Sequence, residues 1–397
     1  MSAETTSLYI HIPFCISKCA YCDFYSIPQG KSVPGEYVKA LCNEITYRIA
    51  ALKISLLKTI YIGGGTPSLL SHAQLSQIFS TIKNCTKLSP DAEITVEVNP
   101  DDVTVELLNS LMTCGVNRIS CGIQSMNDVA LKKACRRVDV SINRNALALI
   151  KEYWKGNVSF DLISGLPGDD EKSLLAGLEE IVSYNPSHIS LYSLTIEEKT
   201  PFGRQLEAGI LDYDFDFADK LWLSGRDFLE SHGYRWYEVS NFCRAGKECL
   251  HNLVYWTHGG YAGCGSAACG TVYKADGTGE RWTNTINIEE YISFWLNRQE
   301  NVTEKPGEVL PQNFEAIDLT TSQFEFFMMG LRKLEGIREG EYTTIFGEKL
   351  PERFLSLFTQ WEEKGLCVRC EGKVGDVCYA MSREGMLFLN RFNMELL

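Results

Sequence analysis

From residue 7 to about residue 193, short runs of apolar, β-branched residues alternate with longer stretches of helical periodicity. Short apolar runs are typical of strands, and longer amphipathic stretches are typical of helices. Their regular alternation predicts parallel strands joined by crossover helices. The predicted strands are SLYIHI (7–12), KTIYI (58–62), EITVEV (93–98), NRISCGI (117–123), VSFDLI (158–163) and HISLYSL (188–194), and the predicted helices cover 34–52, 73–83, 104–112, 141–153 and 171–184.

The strand pattern also predicts the architecture. Six strands fall short of the eight of a complete barrel, which favours an open, partial (β/α)6 TIM-like barrel over a doubly wound sheet. From about residue 310, two short helical patterns precede a β-ribbon pattern, which predicts a winged-helix-like α+β appendage. The expected division is a barrel domain at 1–235, a connecting segment at 236–305 and the appendage at 306–397.

Residues of unusual chemistry follow or end the predicted strands. A three-cysteine loop follows the first strand and GGGTPS (63–68) follows the second. Glu97 ends the third strand, Gln124 follows the fourth, and Asp161 lies in the fifth. The carboxyl ends of parallel strands meet at one face, where barrel proteins carry their functional sites. The sequence therefore predicts a single site at that face.

Composition narrows the class of protein. The formal net charge of −13 argues against a broad nucleic-acid or anionic-lipid surface, both of which need clustered Lys and Arg. Neither a signal-peptide pattern nor a long apolar run suited to a membrane span is present, so a cytoplasmic location is expected. Fifteen cysteines, an odd number scattered along the chain, fit a reducing compartment better than a disulfide framework.

The stretch HIPFCISKCAYCDFYS (11–26) places three cysteines within eight residues: Cys15, Cys19 and Cys22. A structural zinc site would need a fourth Cys or His nearby. A [4Fe–4S] cluster is normally held by four thiolates, so three would leave one iron open to an exogenous ligand. The spacing therefore favours a cluster with one open iron.

Two other stretches offer weaker metal hypotheses. LDYDFDFADK (211–220) lacks the glycine and bidentate glutamate of a calcium loop, and is interpreted as the acidic start of a helix ending near Gly233. Cys367 and Cys370, with Cys378, leave open a zinc ribbon on a nucleic-acid-binding winged helix, although a fourth ligand is missing and the chain is acidic.

The CxxxCxxC spacing, with GGGTP after the second strand, resembles the radical S-adenosylmethionine (SAM) superfamily. Further motifs resemble the branch that contains oxygen-independent coproporphyrinogen III oxidase and its haem-chaperone relatives. They are LYIHIPFC, VEVNP, GVNRISCGIQS, ACRR, FDLISGLPG and HNLVYW, spread from residue 7 to at least residue 270. The resemblance implies a [4Fe–4S] cluster whose open iron binds the amine and carboxylate of SAM.

The same resemblance implies which residues contact SAM. The positions that match contacts of the cluster-bound SAM, or lie near them, are Tyr9, Gly64, Gly65, Thr66 and Glu97. The positions that match contacts of a second SAM in the oxidase branch are Tyr21, Gln124, Arg136 and Asp161. A carboxylate suits ribose hydroxyls, and a guanidinium grips a carboxylate through two hydrogen bonds.

Two departures point away from porphyrinogen decarboxylation and toward the haem-chaperone subfamily. The oxidase pattern has another Cys two places after the third, where this chain has Phe24, and a longer segment before the loop. The chaperone subfamily carries HNxxYW, here from His251 to Trp256, and His251 is a candidate haem-iron ligand. Where relatives often have GAH, this chain has Ala268 and Cys269, which leaves a second ligand open.

The leading hypothesis is a haem chaperone that carries a [4Fe–4S] cluster and SAM and binds haem as cargo. The expected partners are haem, a haem-acceptor protein, which can be membrane-bound, and an electron donor for the cluster; nucleic acid is not expected. The alternative is a radical SAM enzyme, an oxidase or methyltransferase, acting on a tetrapyrrole.

Overall fold

The computed structural model describes residues 5–298, 312–371 and 376–397. Its first half consists of strands and helices in regular alternation. In chain order these are β1 (Ser7–Ile12), β2 (Phe14–Cys15), β3 (Ile27–Pro28), α1 (Gly35–Ala51), β4 (Leu56–Gly64), α2 (His72–Cys85), β5 (Lys87–Val98), α3 (Val105–Cys114), β6 (Arg118–Gln124), α4 (Asp128–Lys133), α5 (Val140–Tyr153), β7 (Asn157–Ser164), α6 (Glu171–Ser183) and β8 (His188–Ser193).

The second half is less regular. Its elements are α7 (Pro201–Glu207), α8 (Phe215–Ser231), β9 (Arg235–Glu238), β10 (Asn241–Cys243), α9 (Leu250–Trp256), β11 (Ala262–Cys264), β12 (Cys269–Tyr273), β13 (Gly279–Asn284), α10 (Ile288–Asn297), β14 (Gln312–Ile317), α11 (Leu319–Gly330), β15 (Ile337–Arg338), α12 (Glu339–Phe346), α13 (Glu352–Glu362), β16 (Cys367–Glu371), β17 (Val377–Met381) and α14 (Leu389–Leu396).

All six predicted strands and five predicted helices of the first half are present. They correspond to β1, β4, β5, β6, β7 and β8 and to α1, α2, α3, α5 and α6. The largest difference in bounds is at β5, which begins at Lys87 rather than at residue 93. The short helix α4 was not predicted, because a six-residue helix is too short to show a clear helical period.

The main sheet has the order β11-β1-β4-β5-β6-β7-β8-β10-β9. Its six central strands follow one another in chain order and pair in parallel. In a doubly wound sheet, the strand order would instead run outward in both directions from the first strand. The outer neighbours of β1 and β8 are β11 and β10, so the sheet is open, and the prediction of an α/β partial barrel is confirmed.

Aspartate caps set where several helices begin. The carboxylates of Asp139, Asp170 and Asp214 accept hydrogen bonds from backbone N–H groups three residues ahead, at 2.9, 2.8 and 2.9 Å. Such caps satisfy donors that the first helical turn leaves free. Asp214 begins α8, so the acidic stretch at 211–220 is the start of a helix, as predicted.

The central strands are polar on one face and apolar on the other. Leu8 and Ile10 belong to the buried core with helix residues such as Val38, whereas the alternate positions of the strands contact one another inside the barrel. Complete barrels instead fill their interior mainly with branched apolar residues. The inward-facing residues are Ser7, Tyr9, His11, Thr59, Tyr61, Glu93, Thr95, Glu97, Arg118, Ser120, Ser159, Asp161, His188, Ser190 and Tyr192.

The second half both extends the barrel and builds the appendage. Strands β9, β10 and β11, all within or next to the predicted connecting segment, join the main sheet. Near the C-terminus, β15, β17 and β16 form an antiparallel sheet beside α11, α12 and α13. Stacked rings of Phe327 and Phe354, 4.3 Å apart, lie in its core. The division into three domains stays a prediction, and the boundary at residues 305 and 306 lies outside the described residues.

Candidate functional site

The carboxyl ends of the central strands surround a cavity of about 360 Å³. Its wall contains the three clustered cysteines and every residue predicted to contact SAM. The residues that the sequence analysis placed at one face of the sheet therefore lie together in the structure. Their roles stay a prediction. The predicted residues that line the cavity are Tyr9, Cys15, Cys19, Tyr21, Cys22, Gly64, Gly65, Thr66, Glu97, Gln124, Arg136 and Asp161.

Backbone hydrogen bonds close the cysteine loop at its base. The short strands β2 and β3 pair in parallel, and the Gln29 N–H donates to the Cys15 carbonyl at 2.9 Å. The buried imidazole of His11 lies 2.9 Å from the Tyr25 carbonyl. Burial lowers the pKa of His11, so its neutral ring holds the loop. These contacts fix the backbone of the loop that carries the three thiols.

Two polar side chains approach the sulfur atoms of this loop. Thr66 Oγ1 donates to Cys15 Sγ at 3.4 Å, and Arg136 Nη1 donates to Cys19 Sγ at 3.5 Å. The thiolate is the form of cysteine that binds metal. In the described residues no three Cys, His, Asp or Glu side chains converge on one metal ion. A [4Fe–4S] cluster binds each thiolate through a different iron, so these free cysteines fit such a cluster without a common centre.

The glycines of GGGTPS let this turn pack closely against His11 and the cysteine loop. Gly64 has a φ of +111°, and a Cβ atom there would lie 2.5 Å from the His11 ring. A Cβ atom on Gly65 would lie 2.7 Å from the Phe14 carbonyl oxygen, just before Cys15. Only glycine fits at both positions, because this turn packs directly against the His11 ring and the backbone before Cys15.

Two half-buried carboxylates face the cavity. Glu97 accepts hydrogen bonds from the Tyr61 hydroxyl at 2.9 Å and the Gly64 N–H at 3.1 Å. Asp161 accepts from the hydroxyls of Ser120 and Ser159, at 2.7 and 2.9 Å. Burial raises the pKa of both, that of Glu97 to about 7, and the Asp161 charge contributes to the rise at Glu97. Paired carboxylates in a closed space favour a cationic ligand with hydroxyl groups, a description that fits the sulfonium and ribose of SAM.

Arg136 lines the cavity near the ends of β5 and β6. Its Nη2 donates to the Gly122 carbonyl at 2.8 Å and to Asn99 Oδ1 at 3.3 Å. Its Nε is buried without a hydrogen-bond partner. The neighbouring Gln124 has a positive φ of 66°, which turns the chain at the end of β6. A buried, unpaired donor beside the cysteines is suited to the carboxylate of a ligand.

The ionisation of Glu97 predicts how SAM affinity depends on pH. Burial raises its pKa to about 7, so the accepting, ionised form gains population as pH rises through neutrality. We expect SAM affinity of the reconstituted protein to rise about tenfold from about pH 6 to about pH 8, following the ionised fraction. Anaerobic equilibrium dialysis measures this. Glu97→Gln should flatten the profile, and an equally steep profile in that variant would contradict the assignment.

His251 lies outside the cavity wall. It is 1% exposed, and its ring nitrogens Nδ1 and Nε2 lie 2.8 Å from Thr59 Oγ1 and 2.9 Å from the Tyr255 hydroxyl. The Tyr61 ring stacks on the imidazole at 5.2 Å. Burial lowers the pKa of His251 to about 3, which keeps the ring neutral. In this conformation both nitrogens are occupied, and its role as a haem ligand stays a prediction.

Sequence reasoning missed several residues of the cavity. Tyr61, Asn99, Ser120 and Tyr192 all line it. Three of them lie on the inward face of the strands, and the available signal was the two-residue alternation of polar with β-branched positions.

The other candidate metal-ligating cysteines from the sequence lie outside this cavity. Cys269 begins β12 and is half-buried, outside the cavity wall. Cys370 lies opposite Cys378 in the hairpin of β16 and β17, whereas Cys367 Sγ lies 3.7 Å from Met381 Sδ. The cysteines of the proposed zinc ribbon therefore do not converge.

Comparisons with known proteins identify the fold and the family of this chain. A model of the radical SAM superfamily matches residues 9–181. The structure of coproporphyrinogen III oxidase (HemN) from Escherichia coli, described as a radical SAM enzyme, is similar in fold, with a TM-score of 0.78 and 21% identity over 99% of this chain and 90% of that chain. Residues 9–181 therefore form a radical SAM domain.

Closer sequence similarity specifies the family. The heme chaperone HemW of Escherichia coli (strain K12) is 36% identical over 348 residues, 86% of each chain. The heme chaperone HemW of Bacillus subtilis (strain 168) is 35% identical over 370 residues, 93% of this chain and 94% of that protein. The chain belongs to the HemW family. Among the described residues, no helix has the length and apolar character needed to cross a membrane.

Proposed function

We propose that this protein is a haem chaperone, which binds haem and transfers it to an acceptor protein. The observation that carries the proposal is its identity of 35–36% to two proteins named heme chaperone HemW, over 86% and 93% of this chain. The exposed Phe24 at the edge of the cavity supports it, because this position holds a cysteine in the oxidase pattern.

We further propose that Cys15, Cys19 and Cys22 hold a [4Fe–4S] cluster with SAM on its open iron. When bound, the cluster would supply electrons, and the cavity residues would orient SAM. Glu97 would accept a hydrogen bond from this SAM. Asp161 and Arg136, the positions matched to a second SAM, would contact that second molecule in the same cavity. The shared cavity and the unpaired Nε of Arg136 support this assignment.

His251 is the proposed haem ligand. A neutral imidazole is the form that ligates iron, and burial keeps this ring neutral. Ligation requires that the Tyr255 hydroxyl release Nε2. Haem titration with detection of the Soret band should therefore show saturable binding in the wild type and loss of the shift in His251→Ala.

Tyr255→Phe is the matched control for this titration. It keeps the ring but removes the hydroxyl that competes for Nε2, so haem should bind about fivefold more tightly, the value of roughly one hydrogen bond. An unchanged Soret shift in His251→Ala would reject this ligand. No saturable shift in the wild type would reject the haem-binding function itself.

The second candidate function is a radical SAM enzyme that acts on a tetrapyrrole. It is favoured by the cavity, which contains all the positions matched to SAM contacts in the oxidase branch. Anaerobic incubation with SAM, a reductant and a porphyrinogen distinguishes the two. Formation of 5′-deoxyadenosine together with a modified tetrapyrrole would support the enzyme and reject the chaperone as the sole function.

A further inference from the structure

Helix α9 carries the HNxxYW motif, yet its own sequence provides no side-chain cap. It begins after Cys249, which makes no capping hydrogen bond to the helix. The N–H groups of a first helical turn need acceptors, especially when buried. The acceptors for α9 come from distant strands of the barrel.

Glu93 of β5 supplies one of them. Its Oε1 accepts a hydrogen bond from the His251 N–H at 3.0 Å and from the Cys249 thiol at 3.6 Å. The Tyr237 hydroxyl accepts from the Cys249 N–H at 3.1 Å. The first residues of the motif helix are thus held by side chains that face into the barrel.

Arg118 of β6 completes the arrangement. Its Nη1 lies 3.5 Å from Glu93 Oε2 and donates to the Lys247 carbonyl at 3.2 Å. Arg118 is 2% exposed and Glu93 is 7% exposed, so the ion pair is buried. One member of the pair holds the segment before α9, and the other holds its first turn.

We propose that Glu93 and Arg118 are positioning residues that fix the HNxxYW helix, α9, against strands β5 and β6 of the barrel. The two strands they belong to also carry cavity residues, Glu97 on β5 and Gln124 on β6. Strands β5 and β6 therefore position both the cavity residues and His251. The significance for haem rests on the proposed function, whereas the anchoring of α9 does not.

Local hydrogen exchange tests the anchoring. Glu93→Ala alone leaves the buried Arg118 charge unpaired, which destabilises a fold strongly. The double variant Glu93→Ala/Arg118→Met removes both charges together, so no buried charge is left unpaired. We expect amides of residues 249–256 to exchange at least about tenfold faster in this variant, while Ile60 and Val96 of the core stay protected.

The buried ion pair of Glu44 and Arg48 provides a matched control. Its exposed fractions, 0% and 6%, are similar, but it contacts Gly265 rather than α9. Glu44→Ala/Arg48→Met should leave exchange in α9 at the wild-type rate relative to the core. Alkylation of Cys249, which is 3% exposed, should accelerate only in the first variant.

Haem binding gives the functional readout. If His251 acts from a fixed α9, the Glu93→Ala/Arg118→Met variant should bind haem about tenfold more weakly and the Glu44→Ala/Arg48→Met control as the wild type does. Equal exchange in α9 for wild type and variant would overturn the anchoring. Absence of haem binding by the wild type would instead reject the proposed function and leave the exchange result to decide the anchoring.

Discussion

Replacing any one of Cys15, Cys19 or Cys22 with alanine is expected to abolish the iron–sulfur cluster. Three thiolates ligate three of the four irons and leave one open for SAM, and with only two thiolates we expect the cluster to be lost. All three sulfurs lie on one loop at the cavity, and Thr66 and Arg136 donate to two of them. Iron and sulfide content and visible absorption after anaerobic reconstitution measure the result.

Two variants control for this loss. Phe24 is 72% exposed and has no side-chain atom that can ligate iron, so Phe24→Ala should assemble a normal cluster. Cys370 is an exposed cysteine in β16, and Cys370→Ala should also be normal. A full complement of iron in any of the three loop variants would refute the assignment of the cluster.

Replacing Glu97 with alanine is expected to weaken SAM binding by about 100-fold, without loss of the cluster. Hydrogen bonds to a charged group contribute about 1.5 to 3 kcal/mol each, and a 100-fold change corresponds to about 2.8 kcal/mol. The substitution also leaves the Tyr61 hydroxyl and the Gly64 N–H without their acceptor. Equilibrium dialysis of SAM against the reconstituted variant measures the change.

Asp102 offers the control for this substitution. It is a nearby half-buried carboxylate that accepts from Ser68 Oγ at 2.7 Å but does not line the cavity. Asp102→Asn should bind SAM as tightly as the wild type. A similar loss in both variants would show that the effect of Glu97→Ala is a general loss of local structure.

The sequence predicted the central barrel well because its strands and helices have strong, regular periods. Loop residues such as Gly64 and Arg136 could be placed together because the carboxyl ends of parallel strands must meet. The edge strands were not predicted. Strands β10 and β11 each have three residues, too few to show an alternating pattern, and only the main sheet stabilises them.

The environment of His251 also could not be read from the sequence. Its N–H partner, Glu93, lies 158 residues earlier in the chain, and no local pattern links the two. The sequence identified the motif but not that both ring nitrogens are hydrogen-bonded inside the barrel. Contacts between a late helix and early strands depend on how the chain closes the open sheet.

The central claim is that this protein carries haem and does not transform it. The most direct test is one anaerobic incubation of the reconstituted protein with haem, SAM and a reductant, followed by quantitation of bound haem, tetrapyrrole products and 5′-deoxyadenosine. The account predicts saturable haem binding, haem recovered chemically unchanged and no 5′-deoxyadenosine formed in proportion to it. Unbound haem, or a modified tetrapyrrole formed together with 5′-deoxyadenosine, would contradict it.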